Sequence, residues 1–274
     1  MHPIERLRYV ARASGADQPL LVRETALALA AFRDDPPGLV AACRRVLERH
    51  PTSAPLWWLC ARVLTAPDGQ QEAWRAVEEI EADPTARLLA HELPEDGTIC
   101  VVGWPEVVTD ALVRRGDLSV LVVDSAGEAG GLVRRLEHAG VDADDVPPSG
   151  LGAAVGMAEV VLLEAVALGP DGFVAVSGTM AAAAVARHLE VPVWVAAGTG
   201  RRLPERMWAA VRGRVEGALE EPWLRDEEVV PLPLVDQVWG PHGRQAPQEA
   251  TAGTDCPVAP ELTGGGSAPG TFRV

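Results

Sequence analysis

The strongest constraint on this chain is an alternation that sets in after "LPEDG". Four short runs rich in β-branched residues, "TICVVG", "SVLVVD", "EVVLLE" and "VPVWVAAG", are separated by stretches with helical spacing, "PEVVTDALVRRG", "GEAGGLVRRLEHAG", "SGLGAAVGMA" and "GTMAAAAVARHLE". Strands buried on both faces read as near-continuous apolar runs, and strand–helix–strand units of this length join parallel strands by right-handed crossovers. The expectation is an α/β fold, a Rossmann-like parallel-sheet domain over residues 96–243. Within it "PERMWAAVRGRVEG" adds a further helix, and "EEVVPLPLVDQVWGPHG" closes the domain.

Upstream, the pattern is different. From about Leu20 to Leu93 apolar residues recur at helical spacing in "LLVRETALALAAF", "PPGLVAACRRVLERH", "SAPLWWLCARVLTA" and "GQQEAWRAVEEIEA", punctuated by Asp-Pro, Pro-Thr-Ser and Pro-Asp-Gly. Residues 1–95 are therefore expected to form a small N-terminal all-helical domain, with Trp57, Trp58 and Trp74 in its core or on its seam with the sheet, a partner-binding face being the competing reading. Residues 244–274 are rich in Pro, Gly, Ser and Thr, and predict a disordered C-terminal tail.

Composition narrows the partners. The formal charge of −15 disfavours a nucleic-acid backbone, which needs a positive face. The chain has no lysine, so arginine is the only fixed cation available to an anionic ligand. The N-terminus lacks an apolar core of signal-peptide length, and "LLVRETALALAAF" is broken by Arg23 and Glu24, so a cytoplasmic protein without a membrane span is expected. Cys43, Cys60, Cys100 and Cys256 show no paired metal spacing, and neither a metal nor a cofactor is expected.

Ligands of open parallel sheets bind beyond the carboxyl ends of the strands. Ser177-Gly178-Thr179 opens a strongly helical run, so its free backbone N–H groups suit a phosphate; a plain helix cap is the competing reading. Arg201 and Arg202 follow a strand end, either as solvated surface charges or with one reaching an anion. Asp124 ends the second strand, as a loop cap or a ligand for a hydroxyl. Cys100 lies in the first strand, as a small hydrophobe or as a thiol for proton transfer. Trp104, just beyond it, either plugs the mouth of the site or stacks on a base. His138 and His188, near helix ends, read as structural.

The segments "VVLLEAVALGPDGFVAVSGTMAAAAVARHLEVPVWVAAGT" and "EEVVPLPLVDQVWGPHG", following a helical unit, resemble a known family. It unites the alpha, beta and delta subunits of translation initiation factor 2B with methylthioribose-1-phosphate isomerase and ribose-1,5-bisphosphate isomerase. Gly178-Thr179, Asp171-Gly172 and Asp236 agree with its motifs, and Cys100, after Thr98-Ile99, stands near the isomerases' catalytic cysteine. The departures are chemical. Glu164-Ala165-Val166 replaces the family's Gly-Ala-Asp, Val176-Ser177 replaces Asn-Lys, and Ala126 stands where an arginine is usual.

What the resemblance implies is a degenerate member of the family. The expected function is a non-catalytic ligand-sensing or interaction protein with residual affinity for a sugar phosphate or nucleotide, held at Ser177, Gly178, Thr179, Arg201 and Asp124. One alternative is an active aldose–ketose isomerase of a ribose 1-phosphate derivative, with Cys100 and Glu164 as its catalytic residues. Another is a regulatory factor in translation initiation. The family's assembly through its sheet domains implies a homodimer.

Overall fold

The structure, a computed structural model, describes residues 17–217 and 221–263. Five helices come first: α1 (Gln18–Leu29), α2 (Pro36–Arg49), α3 (Ala54–Thr65), α4 (Gly69–Glu81) and α5 (Thr85–Glu92). Proline stands in the first turn of α1, α2 and α3, where its missing N–H costs nothing. Asp35 and Asp68 cap α2 and α4 by accepting the N–H groups of Gly38 and of Gln70 and Gln71. The first four helices bury one continuous core that includes Trp57 and Trp58, whereas Trp74 is 41% exposed and lies outside it, and α5 packs instead on the main sheet through Leu89 and Ala90.

The chain then runs β1 (Thr98–Val102), α6 (Glu106–Leu112), β2 (Ser119–Val123), α7 (Ala129–His138), β3 (Asp142–Val146), α8 (Leu151–Met157) and β4 (Val160–Glu164). A small excursion, β5 (Ala167–Leu168) and β6 (Gly172–Val176), precedes α9 (Thr179–Leu189), β7 (Val193–Ala196) and α10 (Glu205–Gly217). The last elements are β8 (Glu227–Pro231), β9 (Gln237–Gly240), β10 (Gly243–Gln245), α11 (Pro247–Ala252) and α12 (Pro260–Thr263). The main sheet has seven strands in the order β10-β9-β7-β4-β1-β2-β3, parallel throughout except for the antiparallel β10. Starting from β3, that order is the doubly wound arrangement in which strand order reverses between the first and fourth strands. The reversal falls between β1 and β4, and it opens a crevice beyond Val102 and Glu164.

Strand parity sorts the side chains. Ile99, Val101, Val160 and Leu162 join the core under α5, α6 and α7. Cys100, Val102, Val161 and Leu163 join the opposite core under α8 and α9. The second sheet, β5-β6-β8, is antiparallel and divides its faces in the same way: Phe173 and Ala175 meet the α9 side, and Val174 meets the helical core. The first helices therefore share their core with α10, β5 and β6. Across that seam Trp58 packs on Gly200, whose φ of +77° and whose ring contact at 3.0 Å from a built Cβ both require glycine.

Three features depart from the sequence expectations. β3, "DADDV", carries acidic residues on an exposed edge strand, where charge deters further pairing and masks the strand pattern. The second sheet was not anticipated. The tail expected from Arg244 onward is folded as far as Thr263: Arg244 and Gln245 lie in β10, Ala250 enters the α8–α9 core, and Cys256, Ala259 and Leu262 enter the helical core. Its prolines and small residues fit because few side chains are needed to span the seam; residues 264–274 lie outside the described residues. Among the described residues no helix is long and apolar enough to cross a membrane.

Truncation after Gly253 removes the buried Cys256, Ala259 and Leu262 side chains, and urea denaturation of the truncated chain should show a loss of about 3 kcal/mol. An unchanged midpoint would mean that this segment contributes nothing to the core.

Candidate functional site

The crevice at the strand reversal holds a chamber of about 160 Å³. Val102, Leu163, Val166 and Val176 give it apolar walls, Trp104 and Pro105 close one side, and Thr179 stands at the start of α9. Glu106, Glu164, Arg201 and Gln18 supply its polar end. The chamber adjoins a larger cleft of about 910 Å³ between the first helices and α6–α7; Gln18, Trp104, Glu106 and Arg201 line both. Trp104 is 39% exposed, and its ring lies over α7, where a Cβ on Gly131 would come within 2.6 Å of it.

The polar end is organised by Arg201. Its side chain is 6% exposed; Nη1 donates to the Ala165 carbonyl at 2.6 Å and meets Glu164 Oε1 at 2.8 Å, while Nη2 lies 3.7 Å from Glu106 Oε2. Glu164 Oε2 accepts the Val108 N–H at 3.0 Å, so this carboxylate also caps the open N-terminus of α6. Glu106 begins α6 and accepts the Gln18 N–H at 3.0 Å. Burial raises the Glu106 carboxyl to about 8, and hydrogen bonding to Asp17 and the charge of Glu164 add to the rise while Arg201 opposes it. Below that value Glu106 carries a proton, and Arg201 and Glu164 form the charged pair.

The cradle foreseen at α9 is occupied by the protein's own groups. Gly178 adopts φ +97° and leads into the helix, as glycine allows at no steric cost. The Met180 N–H donates to Glu228 Oε1 at 2.9 Å, placing a carboxylate where an anion would bind. The Ser177 hydroxyl donates to the Arg225 carbonyl. Only Thr179 of this trio lines the chamber.

The other candidates stand apart. Asp124 Oδ1 accepts the Ala129 N–H at 3.0 Å, capping α7, and is not among the residues lining the chamber. Cys100 is fully buried in the middle of β1, opposite Val161 of β4, and burial pushes its thiol up to about 12. Cys100 and Val161 share the α8–α9 face, whereas Glu164, three residues on from Val161, turns to the α6 face. The two candidate catalytic residues therefore point to opposite sides of the sheet. Sequence reasoning did not single out Glu106, Gln18 or Glu228. An acidic residue in a first helical turn is ordinary, and only Pro105-Glu106 following a strand end signalled that one.

These features can be set beside known proteins. The Initiation factor 2 subunit family model matches residues 90–207. Over that stretch the chain is similar to that family. The resemblance read from the sequence is thereby borne out. Translation initiation factor eIF-2B of Pyrococcus horikoshii OT3 superposes with a TM-score of 0.75 at 17% identity, covering 90% of this chain and 98% of that one. A chain of the tetrameric eIF2B-beta2-delta2 complex of C. thermophilum gives 0.70 at 18%, covering 91% and 93%. The delta subunit of A. fulgidus eIF-2B gives 0.61 at 18%, covering 92% and 90%. At these identities the likeness concerns the fold. No curated protein matches the chain in sequence.

Removing one member of the buried ion pair strands the other without a partner. Arg201→Ala should cost about 3–5 kcal/mol in chemical denaturation, and adding Glu164→Met to it should recover most of that loss. Equal instability of the single and double variants would show that Arg201 acts through packing alone.

Proposed function

We propose that this eIF2B-like protein is a non-catalytic ligand-sensing and interaction protein. The observation that carries this reading is the strand parity that sends Cys100 and Glu164 to opposite faces of the sheet. Aldose–ketose isomerisation moves a proton between adjacent carbons, so its acid and base must reach one substrate from positions within hydrogen-bond range. A fully buried thiol pushed up to about 12 holds its proton at neutral pH. The cavity, by contrast, is kept open and connected to a broad cleft, which supports binding without turnover.

The acidic lining weighs against the residual sugar-phosphate affinity expected from sequence. Arg201 is already neutralised by Glu164, and Glu228 would repel a phosphate at α9. A homodimer in the cytoplasm is the assembly we infer. It is supported by the fold shared with a subunit of a tetrameric complex, and sedimentation of the purified chain as a monomer at micromolar concentration would overturn it.

Incubation of the wild type with ribose 1,5-bisphosphate or methylthioribose 1-phosphate, followed by NMR, should show no ketose above the buffer control. Conversion that disappears in Cys100→Ser would replace this reading with that of an isomerase.

A further inference from the structure

The chamber at the strand reversal has a division of chemistry that nothing in its expected ligands explains. Its body is lined by Val102, Leu163, Val166 and Val176, and its polar end sets the carboxyls of Glu106 and Glu164 against the single guanidinium of Arg201. Arg201 and Glu164 are both more than nine-tenths buried and engage each other at 2.8 Å. Glu106 is left as the carboxyl in excess over the available cation, one-third exposed toward the space between chamber and cleft. Trp104 lines that same passage, with no protein cation stacked on its ring among the described residues. The outer cleft keeps the same sign, with six carboxyl residues against four arginines. Two of those arginines, Arg23 and Arg135, are themselves paired with Glu81 and Asp110.

We propose that this chamber binds a small organic cation, a primary ammonium or guanidinium group carried on a short apolar chain. The charged head would sit between the Glu106 carboxylate and the Trp104 ring, where an ion contact and a cation–π contact reinforce each other in a partly desolvated passage. The apolar chain would enter the valine- and leucine-lined body. An apolar cavity of about 150 Å³ accommodates benzene, so a chamber of 160 Å³ admits a chain of a few carbons and excludes a bulky one. This deepens the ligand-sensing reading by assigning the ligand's charge, and it rests on that reading.

Binding is coupled to a proton. Burial, helped by Asp17 ahead of α1 and Glu164 at the end of β4 and opposed by Arg201 after β7, keeps Glu106 protonated up to about pH 8. A cation needs the ionised carboxylate, so its arrival expels the proton, and affinity rises with pH up to that value and levels off above it.

The test is isothermal titration of the full chain with n-butylammonium chloride at pH 6.5 and 8.5, the ligand being a cation at both. Binding should be about tenfold or more weaker at pH 6.5. Glu106→Gln should bind weakly and without the pH dependence, and Trp104→Leu should lose several-fold in affinity while keeping it. The second variant leaves the polar end intact and carries the test should Glu106→Gln fail to fold. No heat of binding at either pH, or equal affinity in both variants and the wild type, would overturn the proposal. So would binding of inorganic phosphate or ribose 5-phosphate in place of the ammonium. None of these outcomes depends on turnover, so they separate this proposal from the isomerase assay above.

Discussion

The geometry of the strand ends depends on one buried guanidinium. Arg201 leaves the turn after β7 and ties itself to the Ala165 carbonyl and to Glu164 at the end of β4, whose other oxygen holds the first turn of α6. Three chain segments that a Rossmann-like sheet would otherwise leave as free loops are thereby fixed together. Such a pair adds little over well-packed apolar residues of the same size, but each half is costly without the other. Its effect is on position: it decides where the loops of the crevice stand, and it uses up the one arginine that sequence placed there for a ligand.

The same economy operates at the seam. Asp83, between α4 and α5, accepts the Thr199 N–H at 2.8 Å with one oxygen and the Thr85 N–H at 2.9 Å with the other. Trp58 packs on Gly200 in the turn that Asp83 grips. Arg62 and Arg214 lie over the faces of Trp58 and Trp57 at 4.6 and 4.8 Å. The segment after β10 then crosses from the sheet to the helices, with the Thr254 hydroxyl on the Arg202 carbonyl and Arg44 Nε on that of Glu261. The helical unit thus forms one wall of the cleft and is held there by the turn after β7 and by the segment after β10.

Much of this architecture was legible because it rests on burial. Four strands of the main sheet announce themselves as β-branched runs, and the periodic helices before them match α1 to α4. What escaped was set by tertiary context. β3 is acidic because it is an edge, β6 pairs with a strand more than fifty residues later, and the final segment packs through three isolated apolar side chains. At the site, sequence located Glu164, Gly178, Thr179 and Arg201 near the right strand ends but could not tell whether their charges face a ligand or each other. Glu228 on the Met180 N–H has no local signature and Glu106 at the mouth has only the Pro-Glu pair after a strand end, since each gains its meaning from an element distant in sequence.

The sign of the crevice follows from that pairing and not from the chain's overall charge. A Rossmann-like crevice favours anions by default, because helix N-termini with open N–H groups converge on it. Here two such termini are already met by carboxylates, α6 by Glu164 and α9 by Glu228. Once these dipole ends are satisfied, the remaining unbalanced group is Glu106, and burial beside Asp17 and Glu164 makes its ionisation expensive until a cation arrives. A fold that elsewhere holds phosphate can in this way reverse its preference without moving a strand, by supplying the anion from its own side chains.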